Sequence, residues 1–352
     1  MAAVVDVRDL IMLAREVEAS DLHLTVGKPP VFRVNGTLVL VDDYKDIPIP
    51  NRTILSMLNA RQEEQLNEGE DLDFVIELEN ECRQRINIYR QMGKLACSIR
   101  LLNSSIQTLE SLKLPPILGE LALKKNGIVL VTGATGSGKT TTLSSMVEHI
   151  NLNRSCHIIT VEDPVEYRYK QNKALIHQRE IGRDVKSFNY ALRSALREDP
   201  DVIFIGEMRD YETIQLAVTA AETGHLVLAT LHTKGAVHTV NRIVDACPVD
   251  VQPQMLVQLS QILEGVVSQT LLPLEDGSGR VAALEILVGN DAVRNLIRSN
   301  KCYQLDSQMQ SGSKAGMVTM DDCIIGYFRR GLISRSTALE FASDAAIMAT
   351  KM

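Results

Sequence analysis

The chain has 352 residues, 45% of them hydrophobic and 23% charged, which suits a soluble globular protein of about two domains. A formal net charge of −7 counts against a chain whose main partner is a nucleic-acid backbone. Six scattered cysteines form no C-x-x-C pair and no tight Cys/His cluster, so neither a structural zinc motif nor a small disulfide scaffold is indicated, and reduced cytosolic thiols are expected.

Residues 7–17 place Leu10, Ile11, Leu13, Ala14 and Val17 on one helical face. Asp6, Arg8 and Asp9 interrupt the N-terminal apolar stretch, so it does not read as a signal peptide. No apolar run reaches the ~20 residues of a membrane span. Residues 20–26 alternate as a strand, and Asn35-Gly36 between two apolar runs predicts a hairpin. Residues 54–66 read as one helix, with an acidic loop behind it. Residues 73–78 read as a strand, and residues 84–91 and 94–102 as a hairpin turning at Met92-Gly93. An α+β domain over residues 1–102, built on an antiparallel sheet, is the natural assembly.

In that hairpin Ile86 and Ile88 fall on one face, with Arg85 and Asn87 on the other, while Arg100 closes the next strand. Two readings of Arg85 and Arg100 stand open: plain surface charge, or arginine fingers that reach a neighbouring subunit's nucleotide. Arg83 and Arg90 carry no assigned role. Residues 103–116, with Ser104-Ser105 and Pro115-Pro116, read as a linker into a second domain over residues 117–352.

That second domain holds the most specific signal in the chain. Residues 128–131 form a short apolar strand. Gly133, Ala134, Thr135, Gly136, Ser137, Gly138, Lys139 and Thr140 then fit G-x-x-x-x-G-K-[ST], followed by Thr141 and a helix over residues 140–150. Glycines let backbone N–H groups turn inward around an anion, and the helix N-terminus adds its partial positive charge. Lys139 is expected to reach the β- and γ-phosphates of ATP, and Thr140 to hold Mg²⁺.

Strands and helices alternate beyond the loop, which predicts a largely parallel sheet with ligands at the carboxyl ends of its strands. Glu162, Asp163 and Glu166 follow one such strand; they form either a solvated acidic turn or a group that activates the attacking water, with Glu166 as the base. Glu207 follows residues 202–206 in the Walker B position, with Glu in place of the usual Asp, and its longer side chain suggests Mg²⁺ contact through a metal-bound water. His232 ends the strand 226–231 and is placed to sense the γ-phosphate, whereas His225, at the strand's other end, stays open between structure and function.

Four motifs together resemble the type IV pilus retraction ATPases of the type II/IV secretion ATPase superfamily. They are G-A-T-G-S-G-K-T-T at 133–141, I-T-V-E-D-P-V-E at 159–166, L-R-E-D-P-D-V-I-F-I-G-E-M-R-D at 196–210 and A-E-T-G-H-L-V-L-A-T-L-H-T at 221–233. The resemblance extends to residues 20–36 and 83–87. It implies a PAS-like α+β N-terminal domain, a RecA-like P-loop ATPase domain with C-terminal helices, and a homohexamer. It also implies Glu166 as catalytic base, Glu207 as Walker B acid, arginines facing a neighbour's nucleotide, and pilin disassembly powered by ATP. The partner implied is an inner-membrane platform protein of the pilus machinery, with the ATPase cytoplasmic and peripheral to the membrane.

Assembly motors of the superfamily carry a tetracysteine module and a longer N-terminal extension, and neither is seen in this sequence. Residues 292–298 match the A-I-R-N-L-I-R-E segment associated with retraction, with Val293 for Ile and Ser299 where the family has Glu. An accessory retraction paralogue is the alternative, and a RecA-like nucleic-acid motor a more distant one.

Overall fold

The computed structural model describes residues 5–34, 36–78, 82–102 and 105–352. The chain divides into two compact units, one of Met1–Ser105 with Glu166–Arg168 and one of Ile106–Val165 with Tyr169–Met352.

The first unit runs α1 (Val7–Glu16), β1 (Asp21–Thr25), β2 (Val31–Val34), β3 (Thr37–Leu40), α2 (Asn51–Leu55), α3 (Ala60–Asn67), β4 (Leu72–Leu78), β5 (Cys82–Gln91) and β6 (Lys94–Leu101). The strands form a six-stranded sheet in the order β3-β2-β1-β6-β5-β4. Each neighbouring pair is antiparallel. Period-two alternation delivers Leu22, Leu24, Ile86, Ile88 and Ile99 to one face, where they pack with Leu10, Ile11 and Ala14 of α1. The α+β expectation holds, and PAS-like describes it only loosely. Strand β3 is the sheet edge and is exposed along its whole length.

Strands β2 and β3 pair as the hairpin signal predicts, with Val34 opposite Thr37, while Asn35 itself lies outside the described residues. At the other hairpin Met92 (φ 48°) and Gly93 (φ 73°) are both left-handed, the geometry of a primed two-residue turn. The single helix expected over 54–66 is two helices. Asn59 accepts from the Gln62 N–H at 3.0 Å and the Gln62 side chain accepts from the Asn59 N–H at 3.0 Å, a reciprocal capping box that starts α3 afresh.

The second unit begins with α4 (Ile117–Ala122), β7 (Gly127–Thr132), α5 (Lys139–Asn153), β8 (His157–Glu162), β9 (Leu175–Glu180), α6 (Phe188–Ala195), β10 (Val202–Ile205), α7 (Tyr211–Glu222), β11 (Leu226–Leu231) and α8 (Ala236–Asp245). It continues with α9 (Gln252–Ile262), β12 (Leu263–Pro273), β13 (Arg280–Val288), α10 (Asp291–Arg298), α11 (Leu305–Ser311), α12 (Met320–Arg329), α13 (Arg335–Phe341) and α14 (Ala345–Lys351). Its seven-stranded sheet has the order β13-β12-β7-β11-β10-β8-β9. All neighbours are parallel except β12 and β13.

Successive residues of the central strands bury on opposite faces. Ile128 and Leu130 join one core with Ile203, Ile205, Val227 and Ala229, while Val129 and Val131 join the other with Phe204 and Leu228. Burial on both faces is why these strands read as unbroken apolar runs. Within the expected linker, Leu109 and Leu114 are buried in the second of these cores, so that part of the stretch packs with the ATPase unit. Among the described residues no helix is long and apolar enough to cross a membrane.

Candidate nucleotide site

Strand β7 lies inside the sheet and ends at Thr132, and the chain then turns through Gly133, Gly136 and Gly138 with φ of 141°, 79° and 86°. Gly133 has no room for a side chain, because a methyl group there would collide with the Gln269 carbonyl oxygen and with Ser137 Oγ. Gly138 is the N-cap of α5, so Lys139 and Thr140 open that helix and its first N–H groups have no intrahelical acceptor. Ala134, Thr135 and Gly136 are exposed, Thr140 and Thr141 half-buried, and Ser137 and Lys139 buried. The Lys139 ammonium donates to the carbonyl oxygens of Gly133 (2.9 Å) and Ala134 (3.0 Å). Ser137 Oγ is buried with no hydrogen-bond partner. A buried hydroxyl without a partner, a charged lysine at the loop and a helix N-terminus suit a phosphate group.

Strands β10 and β11 run parallel beside β7 and end at the same edge of the sheet. Glu207 follows β10 and His232 follows β11, and the structure brings both to the loop lysine. His232 Nδ1 lies 3.5 Å from Lys139 Nζ, and His232 Nε2 lies 3.1 Å from Glu207. With a lysine on Nδ1 and a carboxylate on Nε2, the network places a ring proton on Nε2. The other Glu207 oxygen pairs with Arg209 at 2.8 Å. Burial pushes the Glu207 carboxyl up, but the Arg209 hydrogen bond and the charges of His232 and Arg209 outweigh it and hold the group below the usual range. Arg209 stands in the M-R-D stretch read from sequence but had no role there.

Glu166 lies four residues beyond β8, is half-buried and groups with the N-terminal unit, where its neighbour Arg168 pairs with Glu77 at 2.7 Å. Glu162, by contrast, is buried in the ATPase unit and accepts from Thr160 Oγ1 at 2.6 Å. In the N-terminal unit Arg85 makes a two-pronged pair with Asp73, at 3.0 and 2.7 Å, and Arg100 pairs with Asp21 at 3.2 Å. The Arg83 carbonyl accepts from Arg15, and Arg90 donates to the Leu66 carbonyl at 3.5 Å. His225 Nδ1 sits 2.8 Å from the Ala220 carbonyl oxygen and finishes α7, at the end of β11 away from the loop.

Sequence reasoning missed Gln269 on β12. Its side chain is buried against the loop, with Nε2 donating to the Ser137 carbonyl at 2.7 Å and Oε1 accepting from Thr142 Oγ1 at 2.7 Å. Only the fold reveals it, because those partners are more than a hundred positions away in sequence. Cavities of about 850 and 760 Å³ open along the loop, one bordered by residues 134–137 and the other by Gly138, Thr141 and Thr142.

A glycine loop after a buried parallel strand, with a lysine, a histidine and a carboxylate converging at the sheet's carboxyl edge, defines a P-loop ATPase. Residues 4–320 match the family described as type II/IV secretion system protein, and the chain belongs to that family. It is 42% identical over 341 residues to a type IV pilus retraction ATPase of Pseudomonas aeruginosa, spanning 96% of this chain and 98% of that protein. It is 45% identical over 326 residues to a twitching motility protein of Neisseria gonorrhoeae, spanning 91% of this chain and 86% of that one. A crystal structure of a pilus retraction motor with bound ADP matches with a TM-score of 0.90 at 44% identity, covering 98% of this chain and 99% of that one.

Proposed function

We propose that this chain is the motor that retracts type IV pili, hydrolysing ATP at the loop of residues 133–141 to drive pilin disassembly. The hydrogen-bonded path Lys139–His232–Glu207 carries the hydrolytic part of this reading. It links the phosphate-binding lysine to two groups placed to respond to the γ-phosphate. The likeness to a retraction ATPase over nearly the full length of both chains supports the pilus part.

In this reading Gly133, Ala134, Thr135, Gly136, Ser137 and Gly138 wrap the phosphates, and Lys139 neutralises their charge. Glu166 takes the proton of the attacking water, a role that rests on its motif. Among the described residues no cluster of three or more His, Cys, Asp or Glu could hold a metal alone. That suits Mg²⁺, which is commonly held by one or two protein groups and the substrate's phosphates. Thr140 and Glu207 are the groups for it, Glu207 through a water. When bound, Mg²⁺ neutralises charge on the transferring phosphate.

Arg85 and Arg100 reach the nucleotide of a neighbouring subunit in a homohexamer. The motor works in the cytoplasm, against a platform protein of the inner membrane and the pilus machinery, and nucleic acid is no partner. Deleting the gene and scoring piliation tests the function. Hyperpiliation with lost twitching is the expected result; loss of pili would mean an assembly motor, and unchanged retraction an accessory paralogue.

A further inference from the structure

We propose that Gln269 is a positioning residue that clamps the phosphate loop in its anion-binding shape, an inference that rests on residues 133–141 being the nucleotide site. Strand β12 runs parallel to β7 with Ser268 in register with Thr132, so Gln269 emerges beside the start of the loop. It meets the loop and the helix that follows it in three places. Its backbone carbonyl packs against Gly133, its Nε2 donates to the Ser137 carbonyl at 2.7 Å, and its Oε1 accepts from Thr142 Oγ1 at 2.7 Å. Gln269 is 2% exposed and Thr142 1%, so water does not replace these bonds.

The grip on Ser137 has a directional effect. A trans peptide points its C=O and N–H in opposite directions. Drawing the Ser137 carbonyl toward Gln269 therefore turns the Gly138 N–H the other way, away from β12. The same amide adds to the demand for glycine at 138, already set by a φ of 86°, because a methyl group would sit 2.8 Å from Gln269 Nε2. The Thr142 bond fixes the first turn of α5 to the same side chain. One buried residue thus sets the loop's start through its backbone carbonyl, and the loop's fifth residue and the following helix through its side-chain amide, before any phosphate arrives, which lowers the ordering cost of binding.

The test uses the full-length protein and a fluorescent ATP analogue with Mg²⁺, titrated well below the melting temperature. Gln269→Leu removes both side-chain bonds at similar volume, and Gln269→Glu keeps the Thr142 acceptor while setting a carboxylate oxygen against the Ser137 carbonyl. Each is expected to weaken binding roughly tenfold, the effect of a lost buried hydrogen bond on an equilibrium. KM should rise in step while kcat at saturation changes less. Thr142→Val is expected to weaken binding by a smaller factor, and Thr142→Ser, which keeps the hydroxyl, to recover it.

A melting temperature that falls while affinity stays at the wild-type value would make Gln269 a packing residue and overturn the proposal. If Gln269→Leu does not fold, Gln269→Glu and the Thr142 pair decide by the same readout. Lys139→Ala separates the nucleotide site from the clamp that shapes it. Unchanged affinity there overturns the nucleotide site itself, whereas lost affinity there with unaltered Gln269 variants overturns only the clamp.

Discussion

Arg85 on β5 and Arg100 on β6 stand directly opposite each other across an antiparallel pair. Like charges so placed repel, and each arginine has an aspartate beside it: Asp73 on β4 for Arg85 and Asp21 on β1 for Arg100. The register continues the row, since Asp21 is opposite Arg100 on one side and Arg33 on the other. A band of guanidinium groups therefore crosses one face of the N-terminal sheet, while Ile86 and Ile99 bury on the opposite face.

Such half-exposed pairs contribute little to folding, within about 1 kcal/mol. Arg100→Ala is expected to leave the chain's unfolding curve nearly in place while lowering the ATPase of the assembled protein. Unaltered turnover in the assembled mutant would return Arg100 to the role of surface charge. Arg85→Ala is expected to behave alike, with a slightly larger effect on folding because its pairing with Asp73 is two-pronged.

Glu166→Gln tests the assigned base. The amide cannot take a proton, so turnover should fall roughly 10²- to 10⁴-fold, with ATP binding retained. Single-turnover hydrolysis measured beside nucleotide affinity checks both halves, and near-normal hydrolysis would move the base to another carboxylate, with Glu162 the first to examine.

The depressed Glu207 carboxyl gives a pH signature. A folded pKa below the unfolded one, about 4.3 for glutamate, means the ionised form is favoured by folding. Its stabilisation is fully present above the unfolded value and is lost as pH falls through the folded one. Urea unfolding of the wild type and Glu207→Gln should therefore differ by a constant amount near neutrality, and the gap should narrow in acid below about pH 4. A gap that widens in acid would contradict the ion pair with Arg209 and the contact with His232.

Glycine replacements should separate conformation from contact. Gly133→Ala and Gly136→Ala both ask alanine for a positive φ, 141° and 79°, which costs on the order of 1–3 kcal/mol. Only at Gly133 does the new methyl also strike Gln269 and Ser137; at Gly136 it meets nothing within 4 Å. The urea midpoint is expected to drop distinctly further for Gly133→Ala, and equal drops would mean that the loop is free to shift away from β12.

Much of this architecture was legible because its determinants are local. Strands β7, β10 and β11 are buried on both faces and announce themselves as apolar runs, and Ser187 and Asp210 cap α6 and α7 where they stand in sequence. Strand β9, L-I-H-Q-R-E, escaped notice because only Ile176 of its residues is buried, so neither an apolar run nor a clean alternation marks it. The break at Asn59 was hidden because the apolar pattern continues through it, although N-x-x-Q was there to be read. Within the site the loop lysine, Glu207 and His232 were readable as strand-end residues. Gln269 and Arg209 matter through contacts that spacing does not encode.

The ends of the two sheets are finished differently. Strand β9 closes one side of the ATPase sheet with His177, Arg179 and Glu180, polar groups that discourage a stranger's backbone, and at the far side Ile286 of β13 is bridged to Val318. Among the described residues strand β3 has neither safeguard: Leu38, Val39 and Leu40 are 54%, 46% and 53% exposed on the outermost strand of the sheet. Its four-residue length limits how far pairing can propagate. Concentrated preparations of this protein should begin to aggregate there, and a lysine at Val39 is the substitution that should keep them clear.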